Sequence, residues 1–142
     1  MSLVALWFVV GLSTGCGGGG EIPTAKAGGV VTVDNQPLAN AHVVFTPEKG
    51  RAATGQTASD GSFTLSTYGS GDGAIVGSHH VTVVAREPGD GQYDRPGAPG
   101  IERPGRSLIS EKYGNTATSG LAFDVAADGD NTYQIQLTSK DQ

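Results

Sequence analysis

Residues 28–48 read GGVVTVDNQPLANAHVVFTPE, and the fold class turns on how this stretch is understood. Val30 to Val33 form a β-branched run that suits a pleated strand better than a helix. No apolar residue recurs here at the three- and four-residue spacing of an amphipathic helix. Asp34, Asn35 and Pro37 supply turn chemistry, since Asp and Asn tolerate left-handed backbone and Pro fixes its own φ. From Ala41 to Glu48 a second run begins in which Val43 and Phe45 fall on one face. The stretch therefore predicts strand 28–34, turn 34–40 and strand 41–48, joined as a hairpin.

The same pattern continues along the chain. TGQTA (54–58) and SFTLST (62–67) flank Ser59-Asp60-Gly61, a turn in which Asp bonds its own backbone and Gly takes positive φ. HHVTVVARE (79–87) alternates Val81 and Val83 against His80, Thr82 and Val84. SGLAFDVA (119–126) and NTYQIQLTS (131–139) close the chain around Ala127-Asp128-Gly129-Asp130. Each flanking pair is expected to be a hairpin, and the total is about seven strands in an all-β domain. Val43, Phe45, Phe63, Leu65, Val81, Val83, Phe123, Ile135 and Leu137 form the expected inward-facing set. The Pro- and Gly-rich stretch 88–106 is expected to be a long exposed loop in which Arg95, Arg103 and Arg106 alternate with Asp90, Asp94 and Glu102.

At 142 residues the chain has room for one such domain. A net charge of −5 supplies no basic footprint for nucleic acid. The single cysteine, Cys16, can make no internal disulfide and no metal cluster of thiolates. It stands in LSTGCGGGGE (12–21), directly after the apolar run LVALWFVVGL (3–12). That run is too short to span a bilayer as a helix and has the length of a signal-peptide core. Small residues Ser13 to Gly15 lead into Cys16, and Gly17 to Gly20 follow it as a flexible tract.

This arrangement resembles a bacterial lipoprotein signal ending in a lipobox, although Leu12 stands four places before Cys16 and no Lys or Arg precedes Lys26. The resemblance implies a signal peptide at 1–15 and diacylglycerol on the Cys16 sulfur. It also implies a Gly-rich tether over 16–27 and a β-sandwich over 28–139 exposed in the bacterial cell envelope. The partner so implied is the membrane, with an envelope protein or a polysaccharide as a further one.

Four phrases in order resemble the bacterial carboxypeptidase regulatory-like, or transthyretin-like, β-sandwich: Gly28 to Glu48, Thr57 to Thr67, Asp72 to Val83, and Glu111 to Val125. The resemblance covers about Gly28 to Leu137. It implies a seven-stranded Greek-key sandwich acting as a non-catalytic accessory module without a cofactor.

Transthyretin-like hydrolases of the urate pathway close on Tyr-Arg-Gly-Ser, whereas this chain closes on TSKDQ. Intradiol dioxygenases on a similar sandwich hold iron through two Tyr and two His, and this chain offers His42, His79, His80, Tyr68, Tyr93, Tyr113 and Tyr133. Neighbouring strand residues point to opposite faces, so His79 and His80 are expected on opposite sides, as surface or strand-edge residues. A metal-dependent enzyme is thus a minor alternative. Asp128 and Asp130 lack the further oxygen ligands of a calcium loop. Lys26 and Asn131 are the one pairing on the first and last strands for an isopeptide bond of the kind found in Gram-positive surface sandwiches, but neither stands where an apolar shell is evident, so the bond is not expected. A carbohydrate-binding module would need coplanar exposed aromatics, for which Tyr68, Tyr93 and Tyr113 are the candidates.

Overall fold

The computed structural model describes residues 20–89 and 105–140. Cys16, the signal segment and Tyr93 lie outside the described residues. Ten strands follow in order: β1 (Thr24–Ala25), β2 (Ala27–Val33), β3 (Gln36–Pro37), β4 (His42–Pro47) and β5 (Ala53–Gln56), then β6 (Ser62–Thr64), β7 (Ala74–Ile75), β8 (Gly77–Val84), β9 (Leu121–Val125) and β10 (Asn131–Leu137). A single 3-10 turn, Glu111–Gly114, precedes β9. Three of the ten, β1, β3 and β7, are only two residues long. The protein is all-β, and its sheets form a β-sandwich-like arrangement.

One sheet has β2 at its centre. β10 runs parallel to it on one side, while β3 and β6 pair antiparallel with successive parts of its other side. The second sheet has the order β5-β4-β8-β9, antiparallel throughout. β1 and β7 form a small separate pair, so chain pairing begins at Thr24, ahead of the expected boundary at 28.

The three expected hairpins do not form as written. Asp34 and Asn35 adopt φ of 47° and 64°, and this left-handed pair closes a tight turn that returns only as far as Gln36 and Pro37. Leu38 N still donates to Val31 O, but Asn40, at φ 57°, redirects the chain and β4 joins the other sheet. The turn at Ser59 to Gly61 likewise separates β5 in one sheet from β6 in the other. A bridge between Thr54 and Ser66 remains as their one contact of ladder type. β9 and β10 also part to different sheets. Burial explains the outcome: strands with one apolar face gain more by facing each other across a core than by lying side by side.

The core draws on both sheets. Val31, Phe63, Leu65, Ile135 and Leu137 meet Val43, Phe45, Ala53, Val81, Val83 and Val125, all buried. Of the expected inward set, Phe123 differs: it is half-buried at the margin of the core. Phe45 lies at the centre of an aromatic group, with ring centroids 5.3 Å from Tyr133, 5.8 Å from His79, 5.9 Å from Phe123 and 6.4 Å from Phe63. These tilted and stacked contacts join the two sheets at one level.

The loop after β8 has a paired base. Glu87 N donates to Arg106 O at 2.9 Å and Leu108 N to Ala85 O at 2.9 Å, with a bridge between Arg86 and Ser107. Residues 90–104, including Asp90, Asp94, Arg95, Glu102 and Arg103, lie outside the described residues.

Candidate functional site

The residues singled out for chemistry are scattered, and most are engaged in holding the fold. Tyr113 belongs to the core at 7% exposure, and its hydroxyl lies 3.2 Å from Thr138 Oγ1. It is therefore not an exposed platform. The sequence signal was available, since Tyr113 follows the apolar Leu108 and Ile109 and has a polar handle that a buried ring can use. Tyr68 is half-buried, and its hydroxyl accepts a hydrogen bond from Ile22 N at 3.2 Å. That contact ties the entering chain to the segment before β7. Tyr68 and Tyr113 thus have separate structural roles, and Tyr93 lies outside the described residues.

The histidines divide as strand alternation requires. His42 and His80 are exposed, whereas His79 is 2% exposed and faces inward with Val81 and Val83. The expectation of a surface or edge residue fails for His79, because β8 begins at Gly77 and carries the alternation back through it. Its Nε2 is 2.6 Å from Ile75 O, so the proton is assigned to Nε2, and the carbonyl accepts. Nδ1 is buried without a hydrogen-bond partner among the described residues. No group of three His, Cys, Asp or Glu suited to a metal ion occurs among the described residues.

Two carboxylates organise turns. Asp72 accepts from Thr67 N at 2.7 Å and from Tyr68 N and Gly69 N at 2.9 Å each. These N–H groups, Thr67 first, hold its carboxyl below the usual carboxylate range. Asp60 accepts from Ser62 Oγ at 2.6 Å and from Ser62 N at 3.0 Å, and the hydroxyl chiefly lowers its carboxyl in the same sense. Tyr133 donates to Asp124 O at 2.8 Å; partial burial, then the charge of Asp124, pushes its phenol up.

Asn131 is the most heavily used polar side chain of the group. Its Oδ1 accepts from Ala126 N at 2.9 Å, and Nδ2 donates to Lys26 O at 3.0 Å and to Ala126 O at 2.9 Å. Lys26 meets it through the backbone carbonyl while being itself exposed. The pair weighed for an isopeptide bond is thus joined by a hydrogen-bonded clip. Its amide is already saturated by backbone groups.

Besides a cleft of about 330 Å³ lined by Lys26, Gly28, Thr64, Asp130 and Thr132, two more indent the described surface. One, of about 450 Å³, lies where the chain enters and is lined by Ile22, Pro47, Lys49, Ile75, Val76 and Ser78, among others. The other, of about 250 Å³, lies at the base of the long loop between Val84, Arg86, Ile109 and Glu111. Arg86 and Glu111 form an exposed ion pair at 3.5 Å there, of the kind that contributes little to stability. Neither cleft gathers a nucleophile, a base and an anion-stabilising group from the described residues. Comparison with protein-family models, curated proteins and solved structures found no match to this chain.

Proposed function

We propose that this chain is a lipid-anchored, extracytoplasmic β-sandwich of transthyretin-like Greek-key topology, serving as a non-catalytic binding or structural accessory module of the cell envelope. The observation that carries this reading is the continuity between anchor and domain. Gly17 to Gly20 follow Cys16, and the chain is already tied down at Ile22 and paired at Thr24. The stretch from Cys16 to Ile22 can reach about 20 Å when extended. A lipid on Cys16 would therefore hold the domain beside the bilayer. At about 0.8 kcal/mol per buried CH₂, two or three acyl chains would make the attachment permanent on the time scale of cell growth.

The topology reading is supported by the strand order. Two antiparallel neighbours in sequence, β4 with β5 and β8 with β9, stay in one sheet, and the chain crosses to the other sheet between these units. The accessory reading is supported by the use of Tyr113, Tyr68, His79 and Asn131 in internal hydrogen bonds.

The test is the intact mass of the protein recovered from membranes of the producing cell, beside a Cys16→Ser variant. The reading requires a mature chain beginning at Cys16 with acyl chains attached, and loss of both acylation and membrane retention in the variant. A species cleaved elsewhere and recovered free of the membrane would overturn it.

A further inference from the structure

The outer edge of β10 is open, and its hydrogen-bonding parity can be read from the ladder it makes on the other side. Leu137 pairs with Val33 in the parallel ladder, and Leu137 O accepts from Asp34 N at 3.0 Å. In such a ladder a residue turns both its N–H and its C=O toward the same neighbour, and successive residues alternate. Asn131, Tyr133, Ile135 and Leu137 therefore face β2. Thr132, Gln134, Gln136 and Thr138 face away from it.

Thr138 bears this out, because its outward groups are taken by another part of the chain: its C=O accepts from Ser110 N at 3.0 Å and its N–H donates to Tyr113 Oη at 3.3 Å. The outward N–H and C=O groups of Thr132, Gln134 and Gln136 make no such bond among the described residues. Edges of this kind are ordinarily blunted by Lys, Pro or a bulge. From Asn131 to Leu137 β10 carries no charge and no Pro, and it pairs with β2 without a bulge through all seven residues.

We propose that this edge is a self-association surface, on which a second copy of the chain adds its own β10 antiparallel, centred on Gln134. The side chains of the edge are self-complementary in that register. Gln134 lies opposite itself and Thr132 opposite Gln136, all uncharged groups that both donate and accept. Asp128, Asp130 and Lys140 lie outside β10 and so outside the shared ladder. A parallel alignment in register is excluded by the same parity, since a residue in a parallel ladder bonds the neighbours of the residue opposite it, as Leu137 bonds Asp34 while paired with Val33. The cover that Ser110 and Tyr113 place on Thr138 limits the shared ladder to the open residues 132 to 136.

The experiment uses the full chain carrying Cys16→Ser, purified in detergent, so that any thiol is an introduced one. Residues facing each other in a hydrogen-bonded antiparallel pair have Cα atoms about 5.5 Å apart, within disulfide reach. Gln134→Cys alone is expected to give a disulfide-linked dimer. Thr132→Cys and Gln136→Cys are expected to cross-link with each other when mixed, at least about tenfold faster than either with itself. Gln134→Lys sets two like charges face to face and should weaken dimerisation, followed by sedimentation, about tenfold or more, with an unchanged melting temperature at dilutions where both proteins are monomeric. A chain that remains monomeric to about 1 mM overturns the proposal. So does a Gln134→Cys variant that cross-links no faster than Thr132→Cys.

Discussion

The side-chain amide of Asn131, at the start of the last strand, donates to the backbone carbonyl of Lys26, just ahead of β2, at 3.0 Å. The same amide closes the β9–β10 turn on Ala126, so one buried side chain fixes both the final crossover between sheets and the first residues of the parallel ladder. Asn131→Ala leaves the two carbonyls and one N–H to find other partners in a site that is 7% exposed. The expected loss is about 2–3 kcal/mol, less than three full hydrogen bonds because water can reach part of the site. Urea unfolding of the two proteins under identical conditions measures it. Asn131→Asp should recover less than half of the loss, since a carboxylate cannot donate to Lys26 O or Ala126 O.

Phe45 supports a second prediction, because the rings of Phe63, His79, Phe123 and Tyr133 all pack around it and it has no exposed surface. Phe45→Ala opens a cavity between the sheets, and losses of about 3–5 kcal/mol are usual for such a change. Small domains have about 5–15 kcal/mol in all, so the variant should be close to unfolding at 37 °C. Phe45→Leu keeps most of the volume and should lose less than half as much. Denaturant midpoints of both variants, with the slopes compared, decide the matter.

Much of the fold is legible in the sequence, and the illegible part has a physical cause. Alternation identified Val43, Phe45, Val81, Val83, Ile135 and Leu137 as inward, and all are buried. Asp34-Asn35 and Asp60-Gly61 mark turns, and Asp34, Asn35 and Gly61 have the left-handed backbone that such residues allow. What a strand pairs with is a different matter, because a turn signal records that the chain reverses and says nothing of whether it reverses within a sheet or across the core. β2 thus pairs along its whole length with β10, more than a hundred residues away, and not with β4, the next long strand of the chain. Of the candidate site residues, His79 could have been placed inside by extending the alternation of Val81 and Val83 by one step. Asn131 could not, since its partners are backbone groups whose positions depend on the crossover.

Asp72 makes stability depend on pH in a known direction. Its carboxyl is held below the usual carboxylate range by the N–H groups of Thr67, Gly69 and Tyr68, and in the unfolded chain it titrates near about 4. A depressed folded value means that the stabilisation is fully present above the unfolded value and is lost as pH falls through the folded one. The melting temperature should accordingly hold steady from pH 7 to about pH 5 and fall below about pH 4. Asp72→Asn keeps one acceptor oxygen but cannot titrate, so its melting temperature should be lower at neutral pH and should fall less steeply in acid. Asp60 contributes in the same direction, and the double variant Asp72→Asn with Asp60→Asn should flatten the acid limb further. A limb unchanged in both variants would mean that other carboxylates govern acid unfolding.

Gly73 joins the entering chain to the segment before β8, and its backbone leaves no room for a side chain. It stands at φ 91°, and a Cβ there would lie 1.8 Å from the carbonyl oxygen of Ala25. Gly73→Ala must therefore either strain the backbone or push β1 away from β7, at an expected total of about 2 kcal/mol or more. Gly71, at φ 68° with nothing within 4 Å of its would-be Cβ, separates the two effects. Gly71→Ala bears the backbone strain alone and should lose about 1 kcal/mol without any local opening. If the clash in Gly73→Ala is relieved by lifting β1, the amide of Val76, which donates to Pro23 O at 3.2 Å, should exchange with solvent faster than in the parent. The chain from Gly20 to Lys26 should at the same time become a preferred site of proteolysis. Equal exchange at Val76 in both glycine variants would show that the strain of Gly73→Ala is absorbed elsewhere and that β1 stays paired.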